Sequence, residues 1–414
     1  MTASLPLASE RSSSWRSPAV IVLCGCLVSL LSFGPRAVLG LFLNPQSQAN
    51  DWGRDVFGLA IALQNIIWGI AQPFAGMLAD RFGTLRVFCA GGTLYAVGLA
   101  LMAYSTTPLL LDLSAGALIG FGLAGCSFSL VLGSFGKLLP EQWRLLAFGA
   151  GTAAGSFGQF LYAPATVALM GIVGWQETLV IFAATMLLVL PLSIPLSTAG
   201  SAELQRKQAP QQSLREALAE AFGHRSYMLL VLGFFTCGFQ LAFITVHMPA
   251  YLVDRGLSAE VGGWTIGVIG LFNIIGSLSA GWLGNIMPKR YLLSIIYLLR
   301  GLAILVFIVF PVSAFSAIAF GAFMGLLWLS TVPPTNGIIA LIFGTRWFTT
   351  LAGFAFFSHQ VGSFLGVWLG GIVVQRTGSY DLVWWLSVLL GFLSAVINLP
   401  IVEKPVSRLA TAPA

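Results

Sequence analysis

Long uncharged runs alternate with short charged punctuation along nearly the whole chain. Val56 to Ala79 contains no acidic or basic residue, Asp80 to Arg86 holds three charges, and Val87 to Tyr104 is uncharged again. A helix crosses the hydrocarbon core of a bilayer with about 20 mostly apolar residues. The runs predict twelve such helices, at 19–43, 56–79, 87–105, 108–136, 145–170, 177–197, 227–253, 261–284, 291–310, 312–342, 347–374 and 382–402. One long polar stretch, Ser197 to Arg225, separates the first six from the last six. The expected fold class is therefore an all-α membrane protein, with twelve transmembrane helices in two six-helix halves.

Composition agrees with this pattern. Only 8% of the 414 residues are charged and 57% are hydrophobic, with a mean hydropathy of +0.90; a soluble domain carries about 25% charged residues. A net charge of +6 suggests nucleic acid at first sight. The basic residues do not cluster as a binding face requires, and no nucleic-acid partner is expected. They follow topology instead. With the N-terminus placed inside, fifteen Lys and Arg fall on the inner side, three (Arg54, Arg255, Arg376) on the outer side, and two (Arg36, Arg300) within spans. This bias predicts both termini in the cytoplasm, hence a multi-pass protein of the cytoplasmic (inner) membrane. The first apolar run is too long for a signal-peptide core and no A-x-A-like site follows it, so it is expected to be retained as a span. The five cysteines all lie in predicted spans without metal-site spacing. No metal or cofactor is expected.

The two halves carry traces of a repeat. Gly76-Met77-Leu78-Ala79-Asp80 returns as Gly281-Trp282-Leu283-Gly284-Asn285, and Gly155-Ser156-Phe157 in the fifth span returns as Gly362-Ser363-Phe364 in the eleventh. Repeats of this kind build transporters whose halves rock about a midplane site. The expected organisation is a cytoplasmic tail (1–18), a first half (19–197), a cytoplasmic linker (198–226), a second half (227–402) and a cytoplasmic tail (403–414). Ser213 followed by Glu216 has the spacing of a helix capping box, which predicts a short helix in the linker.

Intramembrane polar residues are the functional candidates, because charge at the bilayer centre costs about 2.5–3.5 kcal/mol on insertion scales. Arg36 lies well inside the first span, next to Pro35, which frees a backbone carbonyl and can kink the helix. Its planar fork matches a carboxylate. Arg300, in the ninth span, fits either a substrate contact or a structural role. His359, in the eleventh span, is placed to carry a coupling proton or donate to an anion; His247, near the outer end of the seventh, is a second proton candidate. Asn65, Gln159, Gln240, Asn273 and Gln360 complete the set of expected substrate contacts. No carboxylate pair, nucleophile–base pair or metal cluster points to an enzyme.

The segment Gly76-Met77-Leu78-Ala79-Asp80-Arg81-Phe82-Gly83-Thr84-Leu85-Arg86 resembles the G-x-L-A-D-R-x-G-x-x-R loop between the second and third spans of the major facilitator superfamily. That resemblance implies the major facilitator fold, with pseudo-symmetric halves. It assigns Gly76, Asp80, Arg81, Gly83 and Arg86 to a conformational loop, with Asp80 as a latch. Within the superfamily the chain is similar to the monocarboxylate carrier and oxalate/formate porter branch. Pro35-Arg36 and Gly40-Leu41-Phe42 resemble that branch's F-P-K-S-x-G-V-F segment with one extra residue. Arg144-Leu145-Leu146-Ala147-Phe148-Gly149 and Ala154-Gly155-Ser156 resemble its K-R-R-x-L-A-x-G…A-G-S pattern. The resemblance places the branch's substrate-binding lysine at Arg36. It implies proton-coupled uptake of a small organic anion, a mono- or dicarboxylate, by a monomer in the lipid bilayer. There are departures: the branch's D-G-G-W-G-W segment is missing, and its eighth-span Asp and Arg fall at Asn273 and Ser277. Efflux of amphipathic compounds is the alternative, although Ser156 stands where drug/proton antiporters carry proline after Gly151 to Gly155.

Overall fold

The computed structural model describes residues 16–198, 213–344 and 348–407. Twelve helices are long and apolar enough to cross a membrane, and the described residues contain no strand. A backbone in lipid must satisfy its own polar groups, and a helix does so within one segment. The first six spans are Pro18–Asn50, Arg54–Gly76, Thr84–Ala103, Pro108–Phe135, Gly149–Val173 and Trp175–Leu192; the last six are Arg225–Asp254, Ala259–Ile286, Lys289–Val309, Ala314–Phe343, Thr350–Thr377 and Asp381–Asn398. With an even number of passes, the described chain ends share one end of the bundle, called here the near end. Arg54 and Asp254 mark the far end.

Each half packs on itself, the first span against the fifth, the third against the fourth and sixth, the seventh against the eleventh, and the ninth against the twelfth. The halves meet along two seams, second span on eleventh and fifth on eighth. Among the described residues, hydrogen bonds, ion pairs and ring contacts between halves begin with Arg54 and Asp254 at the far end. They extend to about halfway along, where Trp68 meets Phe356 at 5.2 Å between ring centroids. The bundle is closed toward the far end.

Three local departures from the expected spans matter for the site. The stretch between the second and third spans is not an extended loop: the second helix runs on through Phe82 and the third begins at Thr84. The whole reversal falls on Gly83, whose φ of 85° a side chain would disfavour. The backbone of the expected loop is thus mostly helix, and the Asp80 and Arg81 side chains lie outside the described ones. Arg86 is exposed. The first span is helical to Val38, tightens into a 3-10 turn over Leu39–Phe42, and resumes at Leu43. In that turn Gly40 lies against the Thr245 and Val246 carbonyls of the seventh span, an approach any Cβ would block. The tenth span is broken between Leu327 and Val332. The linker helix, Leu214–Gly223, starts with both bonds of the Ser213–Glu216 capping box. It docks on the second half through Phe222 against Tyr227 and Phe354.

Candidate functional site

Arg36 lies one turn before the helical break in the first span and is half-buried. Its Nη2 donates to Asn65 Oδ1 at 2.8 Å, and its Nε is buried without a partner. The guanidinium carbon stands 4.7 Å from the centre of the Trp68 ring and 5.8 Å from that of Phe33. Among the described residues no carboxylate pairs with it. Aromatic faces stabilise a cation by about 0.5–2 kcal/mol without neutralising it, so the positive charge remains for an incoming acceptor.

Around this cation the second and eleventh spans build a continuous wall. Trp68 Nε1 donates to Gln72 Oε1 at 2.8 Å, which fixes the indole. Phe356 stands edge-on to Trp68 and stacks on His359 at 9° between ring planes. Phe234 of the seventh span covers His359 from another side. Asn65 donates to Ile61 O at 2.9 Å, and its own carbonyl accepts from Gln360 Nε2 at 3.1 Å. Arg36, Asn65, His359 and Gln360 are therefore brought together.

The other expected contacts are distributed differently. Gln159 Nε2 donates to Ile266 O at 3.0 Å, and Asn273 donates to Ser156 Oγ while accepting from Leu329 N. Both bond across or along the fifth–eighth seam, Asn273 through both its amide groups and Gln159 through its nitrogen, and hold the halves together. Gln240 is completely buried and donates to Ser387 O of the twelfth span at 2.9 Å, turned away from the opposite half. Arg300 is also completely buried. Its Nε donates to Leu327 O at 3.0 Å and its Nη2 reaches the Leu327 and Trp328 carbonyls, with the Tyr297 ring nearby. Arg300 and Gln240 thus lie apart from the cluster around Arg36, and Arg300 Nη1 and Gln240 Oε1 are buried without a partner. A helix broken inside a membrane leaves orphan carbonyls, and the Arg300 guanidinium caps those of the tenth span. His247 is enclosed at the far end: Nε2 donates to Val367 O at 2.8 Å, so Nδ1 accepts from Tyr380 Oη at 3.3 Å.

Sequence reasoning missed the far-end closure. Arg54 forms a two-pronged ion pair with Asp254, Nη2 to Oδ1 at 2.6 Å and Nη1 to Oδ2, and Tyr380 Oη lies 3.5 Å from Nη1. The partners are 200 positions apart and belong to different halves, so no local pattern signals the pair. Asn44, Gln48, Gln375 and Val374 surround it in a cleft of about 450 Å³. Trp68 and Phe356 were also missed, because a ring in an apolar run carries no mark of what it faces.

The chain matches the model of the Major Facilitator Superfamily over residues 25–367. It is 28% identical over 380 residues to the uncharacterized MFS-type transporter YcxA of Bacillus subtilis, covering 88% of this chain and 90% of that one. It is 24% identical to monocarboxylate transporter 12 of Xenopus laevis, covering 80% and 78%. Among solved structures, an inward-facing bacterial homologue of the human lysosomal transporter Spinster superposes with a TM-score of 0.72 at 15% identity, covering 92% and 96%. A D-xylose–proton symporter superposes with 0.69 at 17% identity, covering 95% and 99%. Twelve spans, two seams around a midplane cation and a family match over most of the length agree: the chain belongs to the major facilitator superfamily and is a secondary transporter of the membrane, not an enzyme.

Proposed function

We propose that this protein carries a small organic monoanion, a carboxylate, into the cell together with a proton, and that it falls in the monocarboxylate branch of the superfamily. The carrying observation is Arg36, a mid-membrane guanidinium with aromatic neighbours, a buried orphan Nε and no acidic partner among the described residues. Among the described residues it is the one cation between the halves without a carboxylate partner, since Arg54 is paired with Asp254, which favours a single carboxylate over two. The similarity to monocarboxylate transporter 12 supports the substrate class. The charge bias of the loops supports cytoplasmic termini. On that orientation the near end faces the cytoplasm, the far end is extracellular, and the structure is an inward-facing state. His359 is the proton candidate of the central site.

The test is flux in proteoliposomes with labelled acetate, lactate, benzoate and succinate, with and without an inward proton gradient. Wild type should move at least one monocarboxylate faster with the gradient. Arg36→Ala should weaken its binding by about one to two orders of magnitude, since a charge-assisted bond contributes about 1.5–3 kcal/mol. Arg36→Lys should retain part of the affinity, because charge survives while the fork is lost. Unchanged anion affinity in a well-folded Arg36→Ala protein, or flux of neutral amphiphiles alone, overturns this reading in favour of efflux.

A further inference from the structure

Four residues are joined by hydrogen bonds across the seam between the second and eleventh spans, three through their side chains and Asn65 through both its side chain and its main-chain carbonyl. Arg36 Nη2 donates to Asn65 Oδ1, Gln360 Nε2 donates to the Asn65 carbonyl, and Gln360 Oε1 lies 3.0 Å from His359 Nδ1. The directions follow from chemistry. An amide whose nitrogen is committed to a carbonyl presents only its oxygen to the imidazole, so Nδ1 carries the hydrogen. Gln360 is completely buried, Asn65 is 2% exposed and His359 is 9% exposed, so the link from Asn65 to His359 runs through the packed interior. Other groups face the same imidazole: Phe234 and the Cys237 thiol from the seventh span, Phe356 from its own helix, and Arg300 from the ninth span acting on Cys237.

We propose that Gln360 is a positioning residue that couples the two halves: through it, the state of Arg36 in the first half sets the proton equilibrium of His359 in the second. Asn65 is the shared hinge of the line. Its side chain holds the guanidinium and its carbonyl holds the Gln360 amide. An anion that draws Arg36 away from Asn65 frees Oδ1 as a second acceptor on the residue whose main-chain carbonyl braces the Gln360 amide. The bond from Gln360 to Asn65 also crosses the seam, so it breaks whenever the halves part in the middle. An amide released from Asn65 is no longer held with its oxygen toward the imidazole, and His359 loses the acceptor that stabilises its Nδ1–H. Proton affinity at His359 thus reports both the occupancy of Arg36 and the closure of the seam. This rests on the transport reading given above, but its test needs no substrate.

The experiment is a double-mutant cycle read by NMR on full-length protein in nanodiscs, with histidine labelled at Cε1. The chain has three histidines, so each resonance is assigned by a single His→Gln variant. The titration midpoint of His359 is measured in wild type, Arg36→Gln, Gln360→Met and the double variant, each checked for folding by size exclusion and thermal unfolding. Arg36→Gln should move the midpoint by about half a pH unit or more, about threefold in the proton equilibrium. In the Gln360→Met background the same change should have less than half that effect. Gln360→Glu provides the second arm if Gln360→Met does not fold: it keeps an acceptor for the imidazole but loses the donor to Asn65, so it too should uncouple Arg36 from His359. Equal shifts in both backgrounds mean that Arg36 acts through space, and no shift in either means that the two groups are independent. Either result overturns the coupling role of Gln360 while leaving anion binding at Arg36 untouched.

Discussion

Exchanging Asp254 for asparagine should unlock the far end of the bundle. Arg54 grips Asp254 with both Nη atoms, and this is the one ion pair between the halves among the described residues. The exchange keeps the size of the side chain but removes its charge and one of two acceptors. A hydrogen bond between charged groups is worth about 1.5–3 kcal/mol when buried. Here the two side chains are 23% and 39% exposed, so screening by solvent reduces the figure toward the range of surface pairs. About 1–2 kcal/mol remains, which changes the ratio of closed to open far ends about five- to thirty-fold. The assay places a cysteine at Val374, which is 8% exposed and borders the cleft beside the pair. Labelling by a bulky maleimide in nanodiscs, read peptide by peptide in a mass spectrometer, then reports opening. The rate at position 374 should rise by that factor in Asp254→Asn. It should fall back toward wild type in the charge-swapped Arg54→Asp/Asp254→Arg protein. Rates within twofold of wild type in the single variant would falsify the assignment of this pair as the far-end lock. A swap that fails to restore slow labelling would refute the electrostatic part of the reasoning.

Further outcomes concern the centre and the near end. In His359→Gln, flux between about pH 5.5 and 8, the range in which histidine changes charge, should lose most of its pH dependence while anion affinity stays within about threefold; superimposable profiles in variant and wild type would place the coupling proton elsewhere. Arg300→Met should lower the thermal unfolding temperature, because each carbonyl left buried and unpaired costs about 1–3 kcal/mol. It should also leave anion affinity nearly unchanged, whereas lost affinity at unchanged stability would return Arg300 to the substrate site. Asp80→Ala should slow flux without reducing the amount of inserted protein, since the first reversal keeps an acid where the second has Asn285; wild-type flux per inserted molecule would remove the latch role from Asp80.

The number of spans, their order and the two-half organisation were legible in the sequence because lipid imposes a one-dimensional rule. A chain that crosses hydrocarbon must do so in apolar helical lengths, and that rule reads directly along the chain from Val56 to Ala79, Val87 to Tyr104 and onward. Arg36 stood out for the same reason, as a charge deep in such a length. What faces what around each helix obeys no such rule. Arg36 and Arg300 look alike in sequence, each a lone cation in an apolar run. Yet one stands at the central seam and the other caps the break in the tenth span. Gln240 and Gln360 are equally indistinguishable, but only Gln360 reaches the opposite half. Asn65 and Gln360 are 295 positions apart, and Arg54 and Asp254 are 200 apart. The reversal at Gly83 also reads as a charged loop until the backbone places the turn on a single residue. Hydrophobicity decides that a helix lies in the membrane, but in a surrounding of uniform apolarity it exerts almost no torque about the helix axis. The rotation that turns one polar side chain to the central seam and another into a half's interior is decided by close packing and by hydrogen bonds between helices, which exist only once all twelve are assembled.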